Sequence, residues 1–298
     1  MKKIIECVPN FSEGRDLNKI DKIVESFRGK GSVKLLDYQY DNSHNRMVAT
    51  VIGEPAALKN SIISAIGVAL DMIDLRTHKG QHPRMGAVDV VPLIPIKNVS
   101  MNEAIEFSKE VAESISKEYN LPVFLYEKST TRPERQNLSD IRKGQFEGMR
   151  EKIKLPDWNP DYGPPEIHPT GGVTAVGARM PLIAFNINLD TNNPDIADII
   201  AKKIRHSGGG LRYCKAIGVD VKEKGYVQVS MNLTDYTKTP MYMAFELIKI
   251  EARRFGVNII GSEIVGLVPL GALTGTAAYY LGIEGFSLNQ VLEYRIME

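Results

Sequence analysis

The chain has 298 residues, a formal net charge of +1 at pH 7, 43% hydrophobic residues and 24% charged residues. This length suits one large domain or two of ordinary size, and the composition is typical of a globular protein. The near-neutral charge and the lack of a long basic block argue against broad nucleic-acid binding. Cys7 and Cys214 lie far apart and form no disulfide framework, which favours a reducing compartment such as the cytoplasm.

Two segments bear on membrane targeting. The N-terminus is basic but has no long apolar core, so it predicts a first strand instead of a signal peptide. Residues 259–283 are mostly apolar, but Glu263 and Pro269 interrupt them. A spanning helix rarely carries that mixture, so no membrane association is predicted.

Hydrophobic periodicity in the first 126 residues predicts a cycle of strands and helices. A helix capped by Asp16 and a helix opened by Pro55 separate the first strands. The predicted strands are 4–9, 33–36, 46–53, 87–96 and 123–126, and the predicted helices are 16–27, 55–75 and 101–119. This order is the split β-α-β pattern of a ferredoxin-like sheet, extended by one helix and one strand.

A second cycle of the same order follows a polar, proline-rich stretch at 128–166. That stretch reads as a linker with a short helix at 141–152, or as a functional loop carrying Trp158 and Tyr162. The second cycle comprises strands 182–188, 214–219, 225–234 and 257–261 and helices 193–205 and 240–254, before terminal helices 269–281 and 289–294. The sequence thus predicts an α+β protein of two ferredoxin-like subdomains, 1–165 and 166–298, with mixed sheets and helices on one face.

The loop at 76–86 is the strongest candidate for chemistry. It holds His78 and His82 among three cationic side chains, and Gly80 and Pro83 interrupt any helix there. Imidazole titrates near neutral pH, and cations attract an anionic substrate. The alternatives are an inert basic surface loop, or a zinc site at the His78-x-x-x-His82 spacing. Zinc is disfavoured because Gly80 lies between the histidines and Lys79 stands where the zinc motif has glutamate.

Three further patterns leave alternatives open. Gly208 to Gly210 follow a predicted helix, so a flexible break is favoured over a phosphate cradle. Gly171 and Gly172 suit either a plain turn or close backbone approach to a flat ligand. Alternating polar residues on two strands, among them Asn186 and Asn188, face either solvent or a polar cleft.

Several long motifs, spread over nearly the whole chain, resemble those of glutamate formimidoyltransferases. They include Pro9-Asn10-Phe11-Ser12-Glu13-Gly14 and His82-Pro83-Arg84-Met85-Gly86. The matching segments are 5–14, 44–46, 78–87, 157–158, 161–164, 177–179, 184–189 and 265–269.

The resemblance implies two ferredoxin-like α/β subdomains and association as homodimers. It implies transfer of a formimino group from N-formimino-L-glutamate to N5 of tetrahydrofolate, a co-substrate, during histidine degradation. Animal members carry a second, cyclodeaminase domain, so a separate cyclodeaminase is expected to process the product here. No metal is implied.

The same resemblance implies specific site residues. His82 aligns with the catalytic histidine of the family, as general acid and base. The folate-contacting loop aligns with Gly163, Pro164, Pro165, Glu166, Ile167, His168, Pro169, Thr170, Gly171 and Gly172. The candidates for binding the donor carboxylates are Arg46, Lys79, Arg84 and Arg179. Asn186 and Asn188 are candidates for contacting the pterin.

Several side chains depart from the family pattern. Pro165, Glu166, Ile167, His168 and Thr170 differ from the mammalian side chains of the folate loop, and Gln39 replaces an acidic residue. Related bacterial enzymes act on N-formylglutamate or formiminoglycine, which makes these donors the alternatives. A non-catalytic, amino-acid-binding module of ferredoxin-like fold is the alternative of another class.

Overall fold

The computed structural model describes residues 2–297. It divides into two compact units, Met1–Arg179 (unit 1) and Met180–Glu298 (unit 2). Each unit contains its own hydrophobic core and its own sheet.

The described residues of unit 1 form seven strands and five α-helices. The strands are β1 (Ile4–Cys7), β2 (Asn10–Phe11), β3 (Val33–Asp41), β4 (Arg46–Gly53), β5 (Val88–Lys97), β6 (Val123–Leu125) and β7 (Thr174–Ala178). The helices are α1 (Leu17–Glu25), α2 (Pro55–Met72), α3 (Met101–Tyr119), α4 (Leu138–Arg142) and α5 (Gln145–Lys152). The Asp16 carboxylate caps α1 as predicted, accepting from the N–H groups of Asn18 and Lys19. Ser100 and Glu103 form a capping box at the start of α3.

The sheet of unit 1 is a ferredoxin-like sheet with two added strands. β1 and β2 both pair with β4 and β5, so together they form one interrupted central strand. With β3 on the far side of β4, these strands pair antiparallel in the order β3, β4, β1/β2, β5. Beyond β5 lie β7 and then β6, both parallel. The predicted mixed sheet is therefore found in unit 1.

The two faces of this sheet have different roles. Cys7, Val51 and Leu93 lie opposite one another and are fully buried in the core that α1, α2 and α3 cover. Side chains alternate along a strand, so Glu6 and Arg46 lie on the opposite face. That opposite face of the sheet carries the polar candidates of unit 1.

Unit 2 repeats the ferredoxin-like order without the additions. Its elements are β8 (Ile183–Leu189), α6 (Pro194–Ile204), β9 (Cys214–Val221), β10 (Tyr226–Leu233), α7 (Met241–Arg253), β11 (Ile259–Val265), α8 (Leu270–Leu281) and α9 (Leu292–Met297). The strands pair in the order β11, β8, β10, β9. α6 and α7 contact each other and pack on the strands. The predicted α+β class with two ferredoxin-like subdomains is confirmed.

Three details differ from the prediction. The strand pairings described in unit 2 are all antiparallel, where a mixed sheet was expected. Each crossover helix joins two parallel strands that lie two positions apart, so these strands are not neighbours in the sheet. The stretch 128–166 belongs to unit 1: Tyr162 bridges to Val123, and β7 completes the sheet. The units consequently divide after Arg179, whereas the sequence predicted 165/166. Residues 289–294 begin as a 3-10 turn before α9.

Within residues 2–297, no helix is both long enough and apolar enough to cross a membrane.

Candidate active site

The loop that carries His82 lies directly against the glycine-proline loop at 163–172. Backbone hydrogen bonds join them: Leu75 N–H donates to the Thr170 carbonyl at 2.9 Å and Ala87 N–H donates to the Gly171 carbonyl at 2.9 Å. Just beyond, Val173 N–H donates to the Met85 carbonyl at 3.0 Å. The two segments implied to bind folate and to catalyse are therefore neighbours within unit 1.

Two glycines permit this close approach. A Cβ at Gly86 would lie 2.0 Å from the Val173 carbonyl oxygen. Gly172 has φ +70°, and a Cβ there would lie 2.2 Å from the Met85 carbonyl oxygen. The Nδ1 atom of His168 accepts a hydrogen bond from Gly171 N–H at 2.9 Å, which closes the turn. This histidine therefore shapes the loop.

His82 lies in a polar environment that is largely closed to solvent. Its side chain is 13% exposed, and its Nε2 atom is buried without a hydrogen-bond partner among residues 2–297. The Asp89 Oδ2 atom lies 4.0 Å from Nε2. Burial, followed by the charges of Arg46 and Arg142, lowers the His82 pKa from 6.5 to about 2. The imidazole is therefore neutral at physiological pH in the protein without substrate.

Two guanidinium groups lie beside His82. Arg46 opens β4, and its Nε atom is buried without a hydrogen-bond partner in the described part of the chain. Burial and then Arg142 lower the Arg46 pKa to about 10. Arg142, at the end of α4, donates from Nε to Asp89 Oδ2 at 2.7 Å and also pairs with it through Nη2. A cationic patch with an unsatisfied donor suits a carboxylate ligand.

The side chains of Arg84 and His78 hydrogen-bond to other groups of the protein and so stabilise the loop. Arg84 is 7% exposed and donates to both carboxylate oxygens of Glu147, at 2.9 and 2.7 Å. It also donates to His78 Nδ1 at 3.3 Å. The other ring nitrogen of His78 lies 3.0 Å from the Asn45 carbonyl, so it carries the hydrogen. Both His78 nitrogens are used, which argues against the alternative of a zinc ligand.

The remaining cationic candidates of unit 1 occupy two other places. Lys79 is exposed and lines a cavity of about 380 Å³ with His78 and Arg15. Arg179 follows β7 and hydrogen-bonds the Tyr126 hydroxyl. It also lies near Glu6. Burial raises the pKa of the Glu6 carboxyl, and the positive charge of Arg179 lowers it in part. Of the four predicted donor-binding cations, Arg46 is the one that lies beside His82 and has an Nε donor without a partner among residues 2–297.

Asn186 and Asn188 belong to a polar network on the sheet of unit 2. Glu263 Oε1 accepts from Asn186 at 3.1 Å and from Gln228 at 2.9 Å. Gln228 also donates to Asn188 at 2.8 Å. Asn186 and Gln228 are 8% and 7% exposed, whereas Glu263 is exposed, so the network extends from the buried surface of the sheet to solvent. These amide donors hold the Glu263 pKa below its usual range.

Sequence reasoning missed Asp89 and Arg142. The signal for Asp89 was present, because it is a lone carboxylate in the apolar run Val88 to Val91 and is 1% exposed. Arg142 gave no signal, because it ends a short charged helix that resembles a solvated surface. Within the described residues, no group of three or more His, Cys, Asp or Glu side chains has the arrangement of a metal site.

Comparison with known proteins identifies the family. Residues 4–179 match the formiminotransferase domain, N-terminal subdomain, and residues 184–295 match the formiminotransferase domain. A glutamate formimidoyltransferase of Streptococcus pyogenes serotype M1 is 54% identical over the full length of both chains. One from Thermoplasma acidophilum is 41% identical, with 98% of this chain and 97% of that protein covered.

The chain is also similar to two-domain proteins. The formimidoyltransferase-cyclodeaminase of Rattus norvegicus is 41% identical over 95% of this chain and 53% of that protein. This chain therefore spans about half the length of such relatives. The matched subdomains and the full-length relatives together establish that the chain belongs to the formiminotransferase family.

Proposed function

We propose that this protein transfers the formimino group of N-formimino-L-glutamate to N5 of tetrahydrofolate, giving 5-formiminotetrahydrofolate and glutamate. The observation that carries the proposal is the contact between the His82 loop and the loop at 163–172, with Arg46 and Arg142 beside the imidazole. The two full-length relatives named glutamate formimidoyltransferase support this choice of donor.

In this reaction the pterin N5 attacks the formimino carbon, and a tetrahedral intermediate forms. Glutamate then leaves as an amine, so one proton must leave N5 and one must reach the departing nitrogen. A neutral His82 accepts the proton from N5 and then donates it to the departing nitrogen of glutamate. Such general acid-base catalysis contributes about 10²–10⁴-fold. Holding the two substrates together supplies much of the remaining acceleration.

The donor's carboxylates give the surrounding cations their role. Arg46 offers one carboxylate a buried Nε donor that has no partner within the described part of the chain. Burial lowers the His82 pKa most, and the charges of Arg46 and Arg142 lower it further. A bound carboxylate offsets that second contribution, because an opposite charge nearby favours the protonated imidazole. The substrate therefore makes His82 a better base at the moment when a proton must move.

The proposal is tested by absorbance assays with tetrahydrofolate and three donors: formiminoglutamate, formylglutamate and formiminoglycine. We expect the highest kcat/KM with formiminoglutamate, and turnover in the His82→Ala variant reduced about 10²–10⁴-fold. A higher kcat/KM with either other donor would reassign the substrate. Binding of glutamate without turnover of any donor would favour the amino-acid-binding module.

Two further features belong to this proposal. Cys7 and Cys214 are both buried free thiols, which supports a cytoplasmic location. α8 exposes several large apolar side chains, including Leu273, Tyr279 and Leu281, which supports a homodimer that covers them. Light scattering of the purified protein tests the dimer, and a monomeric mass at micromolar concentration would contradict it.

A further inference from the structure

Asp89 lies between the proposed catalytic imidazole and a guanidinium group, and its burial demands an explanation. It is 1% exposed at the second position of β5. An ionised carboxylate in such a place is costly unless it is paired and hydrogen-bonded. Its Oδ1 atom accepts from Met85 N–H at 2.8 Å, and its Oδ2 atom accepts from Arg142 at 2.7 Å. Both oxygens are therefore held in place.

The position of Oδ2 relates Asp89 to His82. Oδ2 lies 4.0 Å from His82 Nε2, which is within ion-pair range but too long for a hydrogen bond. His82 Nε2 is itself buried without a hydrogen-bond partner in the described residues. Leaving such a buried polar group unsatisfied is destabilising. A small rotation of the ring would join the unsatisfied nitrogen to the fixed carboxylate.

We propose that Asp89 is the positioning residue of His82, and that Arg142 and the Met85 N–H hold its carboxylate for this task. The inference rests on the proposed function, because it takes His82 as the general acid and base. Asp89 accepts a hydrogen bond from His82 Nε2–H, which leaves Nδ1 to exchange the proton with substrate. Nδ1 takes the proton from the attacking pterin nitrogen and returns it to the departing amine nitrogen. Asp89 stabilises the imidazolium between these steps through this hydrogen bond.

The charged groups around His82 determine how its protonation responds to a variant. They come from the turn before β4, from β4, from its own loop, from β5 and from α4. These groups are His44, Arg46, His78, Asp89 and Arg142. Asp89 is the anion of this set, whereas Arg142 opposes protonation of His82 and also neutralises Asp89. Removing Asp89 and removing Arg142 should therefore have opposite effects on the ring.

The test measures kcat and KM against pH for Asp89→Asn and Arg142→Gln. We expect Asp89→Asn to lower kcat by about 10- to 10⁴-fold, with the KM for tetrahydrofolate within about threefold of wild type. The acid limb of its kcat profile should move to lower pH, and that of Arg142→Gln should move to higher pH. A purely structural role for Asp89 would leave the acid limb of the Asp89→Asn profile where it is in the wild type.

A folding failure of Asp89→Asn is covered by a second variant. Asp89→Asn combined with Arg142→Gln removes both charges of this pair, so neither of the two residues is left as a charge without its partner. A folded double variant should still lose turnover, because the ring is no longer held. Wild-type kcat in the folded single or double variant would overturn the inference. If the Asp89 variants keep wild-type kcat while His82→Ala loses turnover, the role of Asp89 is refuted and the proposed function stands. If His82→Ala keeps its turnover, both the role of Asp89 and the catalytic role of His82 are refuted.

Discussion

Replacing His82 should change how the stability of unit 1 depends on pH. The imidazole has a pKa of about 2 in the folded protein, against 6.5 for the ordinary side chain, with burial as the largest cause. As the pH falls below 6.5, the unfolded chain binds a proton at His82 that the folded protein does not bind. The free energy of unfolding of the wild type therefore decreases on acidification, by up to about 1.4 kcal/mol per pH unit.

The variant His82→Gln lacks this proton and keeps a polar side chain of similar size. Between pH 7.5 and pH 5, the His82 contribution integrates to about 2 kcal/mol lost by the wild type and retained by the variant. The other four histidines are present in both proteins, so they cancel in the comparison. We therefore expect His82→Gln to gain about 2 kcal/mol relative to wild type over this range.

Equilibrium urea unfolding at pH 7.5 and pH 5, followed by tryptophan fluorescence, measures this difference. Trp158 is the single tryptophan of the chain and packs against the core of unit 1, so its signal reports on the unit that holds His82. His206→Gln, at an exposed position, is the matched control and should follow the wild type. If the His82→Gln difference is the same at both pH values, the imidazole titrates alike in the folded and unfolded states, and the electrostatic account of the site is refuted.

Three further predictions concern the site and its support. Arg46→Gln should raise the KM for the donor about 10- to 100-fold, because it loses a charge-assisted hydrogen bond of about 1.5–3 kcal/mol; an equal rise for tetrahydrofolate would contradict carboxylate binding. Arg135→Met should lower the unfolding free energy by roughly 3–5 kcal/mol by circular dichroism, because Asp161 loses its buried partner at 3.0 Å; a loss below about 1 kcal/mol would contradict this. Gly86→Ala should cost roughly 1–3 kcal/mol, since its Cβ would meet the Val173 carbonyl, whereas Gly31→Ala meets no atom and should be neutral; equal stability of these two variants would refute the close approach.

Local patterns in the sequence determined most of the secondary structure. The Asp16 cap, the Pro55 start of α2 and the alternation in β4 all produced the elements that they predicted. Both ferredoxin-like cycles could be identified because period and turn residues are local signals. The length of the motif around His82 likewise allowed the family resemblance to be recognised from sequence.

The boundary between the units was not available from such signals. β7 is a five-residue strand in a glycine-rich stretch, and it follows a long proline-rich segment. Its assignment to unit 1 depends on parallel pairing with β5 and β6, which are distant in sequence. The 128–166 stretch looked like a linker because its anchor, the fully buried Arg135, is indistinguishable from a surface arginine in sequence.

The sequence by itself determined that His82 is the candidate general acid and base, because residue type and motif are written in the chain. Only the tertiary structure decided the partners of that imidazole. Arg46, Asp89 and Arg142 come from three elements and meet there because β4 and β5 flank the central strand while α4 packs nearby. Long-range packing also gives the cations different surroundings. Arg84 is bound to Glu147, whereas the Arg46 Nε donor has no partner among the residues that the structure describes. Charge and burial at a site depend on contacts between distant residues, and no local pattern encodes them.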